Sequence, residues 1–370
     1  MNFTHSEDRQ MLADTFGRHL DQQYTIDVRH RISGSPEGWS RERWLGVAEL
    51  GIIGALFDER SGGYGGSGFD LAVVFEQLGR SLVVEPFLGS LMAGQALAKT
   101  GCRSDLLAQL IAGETALAFA SDEPQSRYDL ASLTTQAQPA QAQHDHGTWT
   151  LSGHKSVIPQ LEAASHAVVS ARLGKESAGL FLVELGKPGA VVSGYKMVDG
   201  GRGGDLTLDR ASAILLTDNA LPLLEEITAA GIVALSWEAV GVMDVLKKST
   251  LDYLRTRKQF GIPIGKFQAL QHRIVNVAIE IEQARSAAIN AAAALAGSRA
   301  ARERAVSAAK YTIGRAGTIA AEESIQMHGG IGMSWELPLS HYAKRALMIG
   351  HQLGDEDHHL SRFISLAATG

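Results

Sequence analysis

Apolar positions recur at helical spacing near the amino terminus: Met11, Leu12, Thr15, Phe16 and Leu20, then Trp44, Val47, Ala48 and Gly51. A glycine-dense stretch, Asp58 to Gly68, leads into another helical run from Phe69 to Arg80. From about residue 115 the period changes. Short β-rich runs appear at Trp149–Leu151, Ala167–Ser170, Leu180–Val183, Ala190–Val192 and Ala213–Leu216. The punctuation is Gly147, Gly153, Gly174, Gly186-Lys187-Pro188-Gly189 and Gly200-Gly201-Arg202-Gly203-Gly204. After Pro222 the helical period returns in three stripes. Ile232, Leu235, Ala239, Val242, Met243, Leu246 and Tyr253 mark the first; Leu270, Ile274, Val277, Ile281, Ala284, Ala288 and Leu295 mark the second; Ala305, Ala309, Ile313, Ala316 and Ile319 mark the third.

These patterns predict an α+β chain. A helical domain over residues 1–114 is followed by a small antiparallel β-barrel domain over 115–222 and a four-helix bundle over 223–370. The strands do not alternate with helices, which excludes a Rossmann unit. The 58–68 stretch follows no strand and lacks Gly-Lys-Ser/Thr, so it reads as a tight connection rather than a phosphate loop.

Composition narrows the function. The 370 residues carry a net charge of -6 and no basic block, which argues against nucleic acid or an anionic membrane as partner. A single cysteine, Cys102, excludes an internal disulfide and a cysteine-based zinc site. The amino terminus has no apolar leader core and no stretch reads as a membrane span, so a cytoplasmic location is expected.

Chemistry concentrates in two places. Arg255 to His272 packs cations, amides and Phe260 into a Gly/Pro turn between long helices. Such residues suit a phosphorylated, ring-bearing ligand: Arg pairs bidentately with phosphate, Phe contacts a ring face, and Gln satisfies a heterocycle edge. Gln326-Met327-His328-Gly329-Gly330-Ile331-Gly332 ends the third stripe, where glycines either cap the helix or allow close backbone approach to a ligand.

Together, Arg257-Lys258-Gln259-Phe260-Gly261 with Gln268, then Gln326-x-x-Gly329-Gly330-x-Gly332, resemble the FAD-binding signature of the acyl-CoA dehydrogenase family. Asp58-Glu59, Gly62 to Gly68, Glu76 to Arg80 and Gly153-His154-Lys155 extend the resemblance over most of the chain. It implies α,β-dehydrogenation of an acyl-CoA thioester, with FAD held between subunits and an electron-transfer flavoprotein as acceptor. Arg257, Gln259, Phe260, Gln268, Gln326, Gly329 and Gly330 fall on the family's adenosine-end positions.

Other positions depart from the family. The flavin- and substrate-contacting Thr-Glu-Pro-Gly-x-Gly-Ser-Asp stretch corresponds to Ala120-Ser121-Asp122-Glu123-Pro124-Gln125-Ser126-Arg127, and Lys-x-Trp-Ile-Thr-Asn corresponds to Lys155-Ser156-Val157-Ile158-Pro159-Gln160. At the two places where members carry the catalytic Glu stand Leu353 and Gly231. Glu238 is seven residues past Gly231, about 10 Å along a helix. The nearest carboxylate to the first position is Asp355, the expected base if the chain is self-sufficient. The ending Gly354-Asp355-Glu356-Asp357-His358-His359 resembles small subunits of the pimeloyl-CoA dehydrogenase type, in which unlike chains share each flavin. The expected partner is therefore a paralogous subunit in a heterotetramer, with self-association or a flavin monooxygenase on the same fold as alternatives.

Overall fold

The computed structural model describes residues 6–140, 148–174 and 177–368; the first five residues of the polar amino terminus and the separator Gly147 lie outside them. The helices are α1 (Glu7–Gln23), α2 (Ile26–Gly34), α3 (Arg41–Glu49), α4 (Gly68–Ser81), α5 (Phe87–Thr100), α6 (Ser104–Ile111), α7 (Ala220–Thr256), α8 (Gln268–Ala294), α9 (Arg299–His328), α10 (Leu339–His351) and α11 (Glu356–Ala368). The strands are β1 (Leu117–Ala120), β2 (Gln136–Pro139), β3 (Thr148–Pro159), β4 (His166–Leu173), β5 (Ser177–Glu184), β6 (Ala190–Lys196), β7 (Arg202–Thr217), and the short pair β8 (Lys258–Gln259) and β9 (Ile262–Pro263). Helices thus precede and follow a central barrel, as the periodicity predicts.

The chain divides into two compact units. One comprises residues 30–66 and 84–231. Its strands close a ring: β4 pairs with β5, β5 with β7, β7 with β3, β3 with β2, and β2 returns to β4. The closing link is short, a single register pair between Gln136 and Arg172. Most pairs are antiparallel, while β1 and β2 join β4 in parallel. Inward residues Leu151, Val169, Phe181, Val183, Leu206 and Leu208 fill the barrel. In the helical part of this unit, Trp44 packs edge-on to Phe87 at 5.0 Å and donates Nε1–H to the Thr115 carbonyl at 3.1 Å. The 58–66 connection is pinned by its own backbone, with Gly65 N donating to Phe57 O at 2.8 Å.

Two features differ from the sequence reading. β1 and β2 lie outside the runs read as strands. Leu-Ala-Phe-Ala is uniformly buried and shows no alternation, and Gln-Ala-Gln-Pro is mostly polar. Conversely, Gly153 and Gly203-Gly204, read as punctuation, lie within β3 and β7. A Cβ on Gly153 would sit 2.6 Å from Thr135 Cα, and one on Gly203 would sit 2.8 Å from the Tyr195 ring. Close packing, not a turn, requires glycine there.

The other unit comprises residues 1–29, 67–83 and 232–370. α4 starts on a capping box between Ser67 and Asp70 and packs against α1 and α8. α4 and α7 approach at backbone distance: a Cβ on Gly79 would lie 2.0 Å from the Glu238 carbonyl, and one on Gly241 2.2 Å from the Glu76 carbonyl. α9 is the central helix, contacting α8, α10 and α11 along its Ala-rich faces. One expectation is corrected: α7 is long and apolar enough to cross a membrane by composition. However, 89% of its most apolar window is buried inside protein, which accounts for that hydrophobicity without a bilayer.

Candidate functional site

α7 ends at Thr256, and the chain turns back through β8 and β9. The two residues between them, Phe260 (φ 54°) and Gly261 (φ 79°), are both left-handed, the geometry of a tight two-residue hairpin turn. The turn pushes Phe260 into solvent, 92% exposed, with only Phe267 edge-on at 6.2 Å. Arg257, Gln259 and Gln268 are exposed around it. The Gln271 side chain donates to Gly265 O at 2.9 Å and ties the turn to the start of α8.

α9 ends at His328, where Gly329 (φ 69°) breaks the helix into a 3-10 turn. A Cβ at Gly329, Gly330 or Gly261 would meet nothing within 4 Å. The glycines therefore present bare, open backbone instead of relieving a clash. Gln326 is exposed on the last turn. The two segments are joined at their roots, where the Tyr253 ring stacks on His328 with centroids 4.3 Å apart and planes 25° apart. His328 is buried, its Nδ1 lies 2.8 Å from Ser324 O, and burial holds its pKa below the ordinary value. A neutral imidazole donating from Nδ1 fits that contact. Cations, amides, an outward aromatic face and unobstructed glycine backbone thus surround one helix-end pair, a set of groups suited to a nucleotide-like anion.

In the barrel unit the 121–123 segment is rigidly framed. Lys155 and Glu123 are both fully buried and pair at 2.7 Å. Lys155 also donates to Ser121 O and Ser170 Oγ, at 3.2 and 3.0 Å. Glu123 accepts further bonds from the backbone and hydroxyls of Thr134 and Thr135. Burial pushes the Glu123 carboxyl up, but the Lys155 charge and these bonds outweigh it and hold it well below the carboxylate range. Its neighbour Asp122 is pushed up by burial, with Lys155 opposing only in part. Val157 stands 56% exposed in a left-handed conformation, its N–H bonded to Asp205 Oδ1 at 3.0 Å.

The carboxylates near the two empty base positions are occupied. Glu238 is gripped by Arg345 through two bonds of 2.5 and 2.8 Å, 107 residues away in sequence. Gly231 is buried in α7. Leu353 lies in the α10–α11 loop with φ 56°. Asp355 follows it, half-buried, and accepts the His358 N–H at 2.9 Å as the cap of α11. Among the described residues, no group of three His, Cys, Asp or Glu is arranged to hold a metal.

Comparison with known proteins places these features. Three profiles match in chain order: the acyl-CoA dehydrogenase N-terminal domain over residues 6–128, the middle domain over 118–210 and the C-terminal domain over 227–363. The chain belongs to the acyl-CoA dehydrogenase family. Within it, the chain is 27% identical to acyl-CoA dehydrogenase IpdE2 of Mycobacterium tuberculosis, over 93% of this chain and 92% of that protein. Among solved structures it is similar to a variant of the Tcur3481–Tcur3483 steroid ACAD, with TM-score 0.90, 29% identity and 98% of both chains covered. It is also similar to a chain of the ChsE4–ChsE5 complex from Mycobacterium tuberculosis, with TM-score 0.87, 25% identity and 100% of both chains covered. Both are heteromeric in name, in keeping with the heteromeric type that the Gly354–His359 ending resembles.

The exposed helix-end residues are legible along the chain as a short motif, whereas the groups packed beneath them are not. In the sequence Tyr253 reads as one of a core stripe and His328 as part of a helix end. Lys155 carried a signal, since Gly153-His154-Lys155 belongs to the resemblance. The buried Lys310 carries none that sets it apart from Arg299, Arg302, Arg304 and Arg315 on the same Ala-rich α9.

Proposed function

We propose that this chain is one subunit of an FAD-dependent acyl-CoA dehydrogenase that catalyses α,β-dehydrogenation of an acyl-CoA thioester and shares its FAD site with a paralogous subunit. The observation that carries this reading is an asymmetry. The helix-end segments keep the residues of the family's FAD motif, whereas Leu353 and Gly231 stand where family members carry the base and Arg345 holds Glu238.

FAD, when bound, supplies the acceptor for the β-hydrogen as hydride. Arg257 would pair with its pyrophosphate, and Gln259, Gln268 and Gln326 would satisfy polar edges of its adenosine end. Phe260 would cover a ring face, and Gly329 and Gly330 would let the backbone approach. The α-proton would pass to a carboxylate of the paralogous partner, positioned so that both C–H bonds are addressed together. An electron-transfer flavoprotein would reoxidise the enzyme, and the assembly would be a cytoplasmic heterotetramer. The names of the steroid ACAD and ChsE4–ChsE5 relatives support a heteromeric arrangement.

The test is purification of the chain alone and with a co-expressed paralogue, followed by measurement of FAD content and acyl-CoA oxidation. Full flavin occupancy and turnover by the lone chain overturn the proposal. Asp355 favours a second reading, a self-sufficient enzyme, because it lies two residues past Leu353 on the same loop. An Asp355→Asn variant that keeps FAD and loses turnover would establish that reading.

A further inference from the structure

Lys310, on α9, is fully buried, yet among the described residues no carboxylate is bonded to it. Its Nζ donates to Gly350 O at 2.9 Å, in the last turn of α10, and to Gly354 O at 2.6 Å, just before α11. The last carbonyls of a helix lack partners within it, so the ammonium satisfies what α10 leaves open. His359, buried on α11, grips the middle of the same loop. Its Nε2 lies 2.9 Å from Leu353 O, and its Nδ1 lies 3.4 Å from the hydroxyl of the buried Ser307. A neutral imidazole that donates from Nε2 and accepts at Nδ1 fits both contacts. Between the grips Leu353 is left-handed at φ 56°, a costly conformation for leucine. A Cβ on Gly354 would lie 2.3 Å from His359 Nε2, so the closed loop seats directly on that ring. A loop closed against strain opens when its grips let go.

Opening moves the Lys310 amine from a dry site into water, and the two sites hold protons differently. In the closed loop burial outweighs the attraction of Asp355 and Glu356 and brings the amine down to about 7 from 10.5. Those two acids, at the start of α11, and His359 are the titratable groups that face it; among the described residues α8 and α10 add no charge that acts on it. His359 is pushed down to about 3 by burial, so it stays neutral from pH 6 upward. In water the amine returns to its ordinary value. Between about 7 and 10.5 the open loop therefore binds a proton that the closed loop does not. Closure is favoured as pH rises through that window, and it is weakest and level below it.

We infer that the α10–α11 loop is a proton-linked latch: Lys310 must leave its two carbonyls and take up a proton for the loop to open, so rising pH tightens it. The latch needs no ligand and does not depend on the functional reading above.

Hydrogen–deuterium exchange on the full chain tests it, with exchange expressed relative to the intrinsic rate at each pH. Protection over 351–358 should rise about twofold from pH 6 to 7 and about fifty-fold from pH 7 to 9, as one proton taken up on opening requires. Peptides of β4 and β5, in the other unit, should show no such rise. Lys310→Met is neutral and Lys310→Arg is charged at every pH used, so protection in both should stay within about threefold from pH 7 to 9. A wild-type rise below about fivefold over that range, or a rise that either variant keeps, overturns the latch. Should neither variant fold, the wild-type slope decides alone, because a lysine with a merely structural role leaves loop protection independent of pH.

Discussion

Tyr253 stacks on His328 across 75 residues of sequence and locks the end of α7 to the end of α9. The two segments that match the family's FAD signature begin from this contact, so their relative placement depends on it. An aromatic pair contributes about 0.5–1.5 kcal/mol beyond its buried area. Replacing Tyr253 with Ala should therefore weaken FAD binding by the complex roughly three- to tenfold, while Tyr253→Phe, which keeps the ring, should bind as the wild type does. Flavin fluorescence titration reads both; equal affinity for Tyr253→Ala removes the stacking from the site.

The Glu123–Lys155 pair should behave as a buried ion pair. Removing one partner leaves an uncompensated charge, so Glu123→Gln should lower stability by about 3–5 kcal/mol. The double variant Glu123→Gln/Lys155→Met should cost less than the sum of the singles. Urea denaturation of the four proteins closes the cycle. Because Glu123 is held below its ordinary pKa, its contribution is present above the unfolded carboxylate range and is lost on acidification below it.

Glu238 tests whether an occupied carboxylate has been mistaken for a base. Its bonds to Arg345 join α7 to α10, so Glu238→Gln should destabilise by about 2–4 kcal/mol. At temperatures where the variant stays folded, the complex should retain acyl-CoA oxidation within about twofold, since one turnover-limiting loss would cost far more than the roughly 0.4 kcal/mol this represents. Loss of turnover with full FAD content would assign Glu238 a chemical role.

His359 gives a pH signature. Burial first, with nearby positive charge adding to it, pushes its pKa down to about 3 from 6.5. As pH falls below 6.5 the unfolded chain takes up this proton before the folded chain does. Stability should then decline from 6.5 toward 3, by an amount on the order of 5 kcal/mol in total. His359→Asn should show a flatter profile over that window than the wild type. Identical slopes in the two proteins would contradict the assignment.

Much was legible along the chain because its causes are local. The period of apolar residues depends on neighbours within a turn or two, so the switch from helix to strand and back was visible. The exposed residues at 257–268 and 326–330 that match the family's FAD motif were also visible, since a motif of short spacing needs no folded context. Tertiary structure alone decided the rest. Gly203 reads as a turn until the Tyr195 ring is seen against it, and β1 carries no alternation because it is buried on both faces. Glu238 is a displaced carboxylate in sequence, seven residues past Gly231, and a gripped one in the fold, because its partner Arg345 is 107 residues away. Lys310 is an ordinary helix cation in sequence and a fully buried clamp in the fold. Sequence determined which residues carry the family's FAD motif; only packing decided which carboxylates are free to act and which backbone is held rigid. Long-range partners set burial, and burial sets both charge and freedom to move.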